Sequence, residues 1–272
     1  MNLEFSVSMC VYEKDDPKHF REAMESILNQ TAPPSEVVLV VDGPVSEELN
    51  AVILHYEAME QFHIIRLPEN LGHGEARKIG LAACTRELVA IMDADDISVP
   101  ERFALQLEKF SADATLSIVG GNIAEFIGEV TNTVGKRIVP EEDAEIKEYM
   151  KERCPMNLVS VMFKKSDVEA AGGFIDWYCE EDYYLWLRMA LKQMRFCNVP
   201  QILVNVRVGQ EMYRRRGGLK YYRSEIRLQK FMRKQRMIGF GTYMINCGKR
   251  LIVQVLLPNR VRGWVFKKFA RS

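Results

Sequence analysis

The sequence predicts an α/β protein whose core is a doubly wound, mostly parallel sheet with helices on both faces. Three observations lead to this fold class. Short apolar, β-branched runs recur in the first half of the chain, as in FSVSMCVY, EVVLVVD and LVAIMD. Between these runs, apolar residues recur at helical spacing. Strands that lack polar alternation are covered on both faces, as in parallel sheets whose strands are joined by helices.

The first three predicted strands alternate with two helices. In the first helix Phe20, Met24 and Ile27 fall on one face, and Pro33 and Pro34 end it. We expect strands at residues 5–12, 36–42 and 62–68, and helices at residues 19–30 and 46–60.

The next segment, PENLGHGEARKIGLAAC, begins with turn residues and continues as a helix that opens near Gly74 or Glu75. Its small residues favour close packing on the sheet. Backbone amides at the helix start, beside Arg77 and Lys78, could hold a phosphate group. NLGHG is not a GxGxxG fingerprint, so we favour an ordinary turn between strand and helix. The strand LVAIMD follows.

The second half of the chain continues the mixture of strands and helices. We expect a helix at residues 101–112, a strand from 116 that runs as extended chain to 139, and a helix at 141–152. NLVSVMFKKSDVEAAGGF predicts a strand and a short helix. A last helix follows the acidic residues at 180–182.

Six cysteines are scattered singly without a CxxC pair, which favours reduced, buried thiols over disulfides or a zinc site. The first residues lack a basic segment followed by a long apolar stretch, so we expect no signal peptide. No run approaches the roughly 18 apolar residues of a membrane span. We therefore expect a cytoplasmic protein.

Charge is divided unevenly along the chain. Residues 201–272 contain 18 Lys and Arg but only two acids, Glu211 and Glu225, whereas residues 1–200 contain 19 Lys and Arg and 35 acids. This asymmetry predicts that the C-terminal segment meets an anionic surface, either nucleic acid or phospholipid.

A first acidic cluster, DADD, ends the strand LVAIMD. Asp93 and Asp95 point the same way along an extended chain, at the strand end where ligands of such sheets bind. Paired carboxylates attract Mg²⁺ or Mn²⁺, which keeps positions open for phosphate oxygens. The alternative is that these acids only cap the next helix, through Asp96 or Ser98.

A second acidic cluster, Glu180, Glu181 and Asp182, precedes a helix. The helix dipole stabilises an acid there without any catalytic role. Three successive carboxylates among aromatic residues are harder to explain in that way, because crowding and apolar neighbours raise the proton affinity of a carboxylate. A carboxylate in that condition can act as a general base.

Seven segments follow one another along residues 3–230: VSMCVYEKD, SILNQTAPPSEVVLVVDGP, NLGHGEARKIGL, DADD, GGF, EEDYYLWLRM and RRRGGLKYYRSE. In this order and spacing they resemble a family 2 glycosyltransferase of the GT-A fold, especially the bacterial enzymes that build surface polysaccharides. The resemblance implies inverting, Mn²⁺- or Mg²⁺-dependent transfer of a sugar from a nucleotide-diphosphate sugar, with a UDP-sugar as the expected donor. It divides the chain into a catalytic domain at 1–210 and a basic amphipathic segment at 211–272. The nucleotide-sugar half would be about 1–120 and the acceptor half about 121–210.

The resemblance also assigns site residues. It places the nucleotide-sugar pocket at Val11, Tyr12, Glu13, Asp42, Arg77, Asp93, Ala94 and Asp95. Asp42 would hold the base, Asp95 and Asp93 the metal, and Asp96 would support them. Asp182 would be the catalytic base, with Glu181 beside it. The expected acceptor or diphosphate contacts are Asp96, Trp177, Arg214 and Arg215.

The implied acceptor is a polyprenyl-diphosphate-linked saccharide, used in capsule, exopolysaccharide or O-antigen assembly. We expect the basic segment to lie on the anionic cytoplasmic face of the inner membrane, and no nucleic acid partner, since no nucleic-acid module accompanies it. The alternative for this segment is a solvated helical face that closes the catalytic domain. Rival functions are a metal-dependent phosphotransferase or nucleotidyltransferase, or a non-catalytic membrane-surface protein on the same scaffold.

Overall fold

The computed structural model describes residues 3–209 and 217–257. Within these residues, nine strands form one mixed sheet. The strands are β1 (Phe5–Val11), β2 (Glu36–Val41), β3 (Phe62–Arg66), β4 (Leu88–Asp93), β5 (Ile97–Ser98), β6 (Leu116–Phe126), β7 (Thr133–Arg137), β8 (Met162–Lys164) and β9 (Arg195–Arg207). Their order is β3-β2-β1-β4-β8-β6-β9-β5, with β7 beside β6.

Helices cover both faces of the sheet. They are α1 (Pro17–Leu28), α2 (Glu47–Glu57), α3 (His73–Ala83), α4 (Arg102–Ala112), α5 (Asp143–Tyr149), α6 (Lys165–Ala170), α7 (Glu181–Leu191), α8 (Leu219–Lys234) and α9 (Phe240–Arg250). A 3₁₀ turn lies at Leu158–Ser160, and a π-helical segment, Leu251–Leu256, continues α9. Apolar residues of α1, α2 and α4 pack on one face, and those of α3 and α5–α8 pack on the other. The doubly wound arrangement is therefore confirmed.

The first four strands are parallel neighbours, as predicted. The other half of the sheet is mixed, because β8 runs antiparallel to both β4 and β6, whereas β6 and β9 are parallel. The sequence did not predict β9. Its pairing with β6 shifts register around Pro200, which has no N–H for the ladder, so its apolar pattern is interrupted.

Helix α3 packs closely on the sheet, as its small residues predict. A Cβ atom at Gly80 would lie 2.7 Å from Ser8 Oγ and 3.2 Å from Val40 Cγ2. A larger residue at this position would therefore require the Ser8 and Val40 side chains to shift or α3 to move away from β1 and β2. This close approach places the start of α3 beside the strand ends that carry the polar residues.

The described part of the C-terminal segment packs on the helices that cover the sheet. Leu228 and Met232 of α8 join the core beside α7. Among the described residues, no helix combines the length and apolarity needed to span a bilayer. All six cysteines are free; Cys84 and Cys197 are buried, but Cys179 is exposed, so the prediction of buried thiols is wrong for Cys179.

Candidate active site

The carboxyl ends of three adjacent strands, β2, β1 and β4, form one edge of the sheet. Val11 is buried, and its carbonyl accepts a hydrogen bond from Asp42 N (2.8 Å). Tyr12 is half-buried, and its ring lies 6.1 Å from that of His73 at the start of α3. Glu13 is exposed. These strand ends therefore bring the predicted nucleotide-pocket residues to one crevice, as expected for such sheets.

Asp42 is buried and holds the turn before α3. Its carboxylate oxygens accept hydrogen bonds from Leu71 N (2.7 Å) and Gly72 N (3.0 Å). These two amides precede the first turn of α3, whose own amides belong to His73, Gly74 and Glu75. A phosphate site at the helix start and an ordinary turn between strand and helix therefore both stay predictions.

Arg77 lies between the two acidic clusters. Its guanidinium donates to Asp93 Oδ1 and to Glu181 Oε1, at 3.0 Å each, and its side chain is 9% exposed. Burial opposes the charge on Arg77, but the two carboxylates outweigh burial and raise its pKa above the ordinary value. Family resemblance placed Arg77 near the base or phosphates; in the structure its contacts are these two acids.

The residues of DADD differ in exposure. Asp93 and Asp95 are half-buried and Ala94 is buried. Asp96 is buried, and its Oδ1 accepts a hydrogen bond from Arg207 N (2.8 Å). This contact joins Asp96 to the end of β9; its supporting role and its contact with the acceptor or diphosphate both stay predictions.

Arg207, the last residue of β9, was missed by the sequence analysis. Its Nε donates to Asp95 O (3.1 Å), and its terminal nitrogens donate to Gly128 O (3.0 Å) and Glu22 Oε2 (2.6 Å). It thus fixes the backbone of the metal-binding candidate Asp95. No sequence signal pointed to it, because β9 itself was not predicted.

Asp15 is a second residue that the sequence analysis missed. It lies in the loop after β1, where its Oδ2 accepts a hydrogen bond from Tyr12 N (2.9 Å). Burial, with the nearby charges of Asp95 and Asp93, raises the pKa of Asp15 to about 7. The acidic run EKDD after the first strand is the sequence signal that could have pointed to Asp15.

The carboxylates at this edge fit a hard divalent cation, because they repel one another and offer only oxygen ligands. Within residues 3–209 and 217–257, however, no three His, Cys, Asp or Glu side chains are grouped so as to enclose a metal. Asp93 and Asp95 are the carboxylates that would hold such an ion, with its remaining positions left for phosphate oxygens.

The second acidic cluster lies at the start of α7. Glu180 is buried; burial first, and then the charges of Glu225 and Asp182, hold its pKa well above the ordinary value. Burial and Asp182 also raise the pKa of Glu181, and Arg77 opposes that shift. Asp182 is half-buried; its Oδ1 accepts from Tyr183 N (2.7 Å), and Cys154 Sγ lies 3.8 Å from its Oδ2.

Trp177 is a contact between the acidic segment and α8. Its ring lies 4.5 Å from that of Tyr184, and the Arg227 guanidinium lies 4.6 Å from the indole centre. Its Nε1 donates to Ser224 O (3.4 Å). Arg214 and Arg215 lie outside the described residues, so their assignment as acceptor contacts stays a prediction.

The sequence model of glycosyl transferase family 2 matches residues 6–169. An uncharacterized glycosyltransferase of Haemophilus influenzae is 38% identical over 97% of this chain and all of its own length. The UDP-Gal:alpha-D-GlcNAc-diphosphoundecaprenol beta-1,3-galactosyltransferase of Escherichia coli is 35% identical over 98% of this chain and 97% of its own. The amylovoran biosynthesis glycosyltransferase AmsE of Erwinia amylovora is 34% identical over 97% and 98%.

Solved structures show the same fold. The mannosyltransferase PcManGT of Pyrobaculum calidifontis, in complex with GDP-Man and Mn²⁺, matches with a TM-score of 0.64 at 14% identity, over 99% of this chain and 81% of that one. Residues 1–349 of S. aureus TarS match with a TM-score of 0.62 at 15% identity, over 97% and 78%. The predicted GT-A fold is thereby confirmed.

Proposed function

This chain belongs to glycosyl transferase family 2, and we propose that it moves a sugar from a UDP-sugar to a hydroxyl of a lipid-linked saccharide, with inversion at the anomeric carbon. The observation that carries the proposal is the bridge from Arg77 to Asp93 and Glu181. It joins a donor-side and an acceptor-side acidic cluster in one site. The donor is proposed because the E. coli relative is described as using UDP-Gal. Galactose, glucose and their N-acetyl forms are the candidate sugars.

On the donor side, Asp42 and Tyr12 would contact the nucleoside, and Asp95 with Asp93 would hold a Mn²⁺ or Mg²⁺ ion against the diphosphate. The ion, when bound, supplies Lewis acidity that neutralises charge on the leaving diphosphate. Arg207 and Asp96 would keep the Asp95 backbone in position, through the contacts to Asp95 O and Arg207 N.

On the acceptor side, Asp182 would take the proton of the acceptor hydroxyl. The hydroxyl oxygen attacks the anomeric carbon, the bond from that carbon to the phosphate oxygen breaks, and its electron pair leaves with the diphosphate. Glu181 forms an ion pair with Arg77 (3.0 Å), which opposes the rise in the pKa of Glu181 and positions this cation. That pairing leaves Asp182 as the base, as the resemblance implies.

The proposed acceptor is a polyprenyl-diphosphate-linked saccharide, in capsule, exopolysaccharide or O-antigen assembly. The E. coli relative is described as acting on a diphosphoundecaprenol-linked sugar, and AmsE as acting in amylovoran biosynthesis. An enzyme of this kind would work as a peripheral protein on the cytoplasmic face of the inner membrane. Family membership sets aside the phosphotransferase and nucleotidyltransferase alternatives; a non-catalytic scaffold is an outcome of the test below.

The test measures sugar transfer by the purified protein with Mn²⁺. The donors are UDP-Gal, UDP-Glc, UDP-GlcNAc, UDP-GalNAc and GDP-Man, and the acceptor is a synthetic lipid-diphosphate-linked GlcNAc. We expect transfer from one UDP-sugar, and a loss of about 100-fold or more in Asp182→Asn. Asp176→Asn, an exposed acid in the same segment, is the matched control and should keep full activity. A wild type that consumes no donor would mean a non-catalytic protein, and equal rates for Asp182→Asn and wild type would overturn the base assignment.

A further inference from the structure

Helix α9 and the π-helical segment after it turn apolar side chains toward solvent. The exposed fractions are 64% for Phe240, 52% for Met244, 57% for Ile245, 53% for Ile252 and 65% for Leu256. We call these five residues the apolar ridge. They recur at helical spacing, so they lie on one face of the continuous helix. An exposed apolar face of this extent marks an interaction surface.

The opposite face of the same helix is polar and buried, which fixes its orientation. Asn246 donates to Lys151 O (2.9 Å) and is buried, and Gln254 is also buried. Arg250 donates to Glu152 O (2.7 Å) and forms an ion pair with Glu225. Rotating the helix to hide the ridge would break these buried polar contacts, which is costly. These buried polar contacts therefore hold the helix in the orientation that exposes the ridge.

Positive charge lies beside the Phe240 end of the ridge. Residues 217–257 contain one acid, Glu225, and nine basic residues: Lys220, Arg223, Arg227, Lys230, Arg233, Lys234, Arg236, Lys249 and Arg250. A cleft of about 530 Å³ opens where α8 meets α9. Its lining consists of Lys230, Arg233, Lys234, Arg236, Phe240 and Tyr243. Phe240 thus belongs to both the ridge and the basic cleft, so apolar and cationic surfaces are continuous.

We propose that the apolar ridge inserts into one leaflet of an anionic phospholipid membrane while the basic cleft binds lipid phosphate groups. Helices with an apolar face flanked by Lys and Arg lie in the membrane interface in this way. A second copy of this chain is a poorer occupant. A symmetric contact through the ridge would bring the same basic residues of both copies face to face, and their charges would repel.

The buried face of α9 is joined to the candidate active site through residues 151–154. Lys151 and Glu152, which accept hydrogen bonds from the buried face of α9, precede Cys154, whose Sγ is 3.8 Å from Asp182 Oδ2. Docking at the ridge would therefore bring the proposed base near the lipid surface. In this respect the inference rests on the proposed function, because a lipid-linked acceptor is held at that surface.

The experiment is co-sedimentation of the full chain with vesicles, without donor or acceptor. One set is pure phosphatidylcholine and the other contains phosphatidylglycerol as the anionic lipid. We expect binding to the anionic set, at least tenfold weaker in Met244→Ser/Ile245→Ser. Leu54→Ser on α2, where Leu54 is 52% exposed, is the matched control and should bind like wild type. Arg233→Gln/Lys234→Gln should lose the preference for anionic vesicles.

Three results would overturn the inference. The first is a wild-type chain that does not sediment with anionic vesicles. The second is wild-type binding by Met244→Ser/Ile245→Ser, which would assign membrane contact to residues outside the ridge. The third is a change of oligomeric mass, without a change of vesicle binding, in the same variant, which would make a second copy the occupant. None of these results depends on glycosyl transfer, because the donor assay tests that activity separately.

Discussion

Arg77 donates hydrogen bonds to Asp93 and to Glu181 at 3.0 Å each, and so joins the end of β4 to the start of α7. Charge-assisted hydrogen bonds are about twice as strong as neutral ones, and the near-complete burial of Arg77 excludes water that would compete for them. This bridge therefore fixes the first acidic cluster, at the end of β4, relative to the second, at the start of α7.

Replacing Arg77 by Met should destabilise the fold, because it leaves Asp93 and Glu181 without their cation. Breaking a fully buried ion pair costs about 3–5 kcal/mol, and the 38% exposure of the Asp93 side chain places this bridge at the lower end of that range. For a chain of this size we expect the Tm to fall by roughly 10 °C, measured by thermal denaturation. Lys78→Met changes the exposed neighbour and should leave the Tm nearly unchanged. The double variant Arg77→Met/Glu181→Gln should recover part of the lost Tm. Equal Tm values for Arg77→Met and Lys78→Met would show that the bridge does not stabilise the fold.

Glu181→Gln should affect catalysis differently from Asp182→Asn. Glu181 forms an ion pair with Arg77. Removing the Glu181 carboxylate should therefore disturb the position of Arg77 and not the transfer of the acceptor proton. We expect kcat to fall by about tenfold or less in Glu181→Gln and by about 100-fold or more in Asp182→Asn. The measurement is kcat across a pH series for both variants. If Glu181→Gln loses as much as Asp182→Asn and flattens the pH profile, then Glu181 is the base.

The part of this site that depends on parallel strands could be predicted from the sequence. Asp42 and Asp93 each end an apolar run, and adjacent parallel strands bring their carboxyl ends together. The partners of Arg77 could not be predicted, because they depend on how α3 and α7 pack across the sheet. Arg207 was missed because Pro200 interrupts the pattern of β9. Asp15 was missed because its burial arises from tertiary contacts and not from local sequence.

Replacing Arg207 by Met should weaken donor binding through Asp95. Arg207 holds the Asp95 carbonyl and pairs with Glu22, and its side chain is 13% exposed. Without these contacts we expect the KM for the UDP-sugar to rise more than kcat falls, and the Tm to fall by several degrees. Arg195→Met, at the other end of β9, removes an exposed ion pair with Asp113. This variant should leave the KM, the kcat and the Tm unchanged. Unchanged KM in Arg207→Met would mean that Asp95 is positioned without it.

Glu180 should make the protein less stable as the pH rises. Its pKa is held well above the ordinary value, about 4.5, first by burial and then by the charges of Glu225 and Asp182. At a pH between the ordinary pKa of the unfolded state and the raised pKa of the folded state, the folded state binds more protons at Glu180 than the unfolded state does. Stability from protonated Glu180 is therefore fully present below about pH 4.5 and is lost as the pH rises through the folded pKa, by at most about 1.4 kcal/mol per pH unit.

Glu180→Gln should remove that loss, because the amide is uncharged at every pH. We expect the Tm of the variant to match wild type near pH 4.5 and to exceed it increasingly toward pH 8, as measured by thermal denaturation across that range. Asp15, Asp96 and Glu181 have raised pKa values of the same sign, but they are present in both proteins and largely cancel in the difference. Glu60→Gln, at an exposed acid, is the matched control and should follow wild type at every pH. A constant Tm difference between Glu180→Gln and wild type would mean that Glu180 does not titrate on unfolding, and that its raised pKa is not a source of instability.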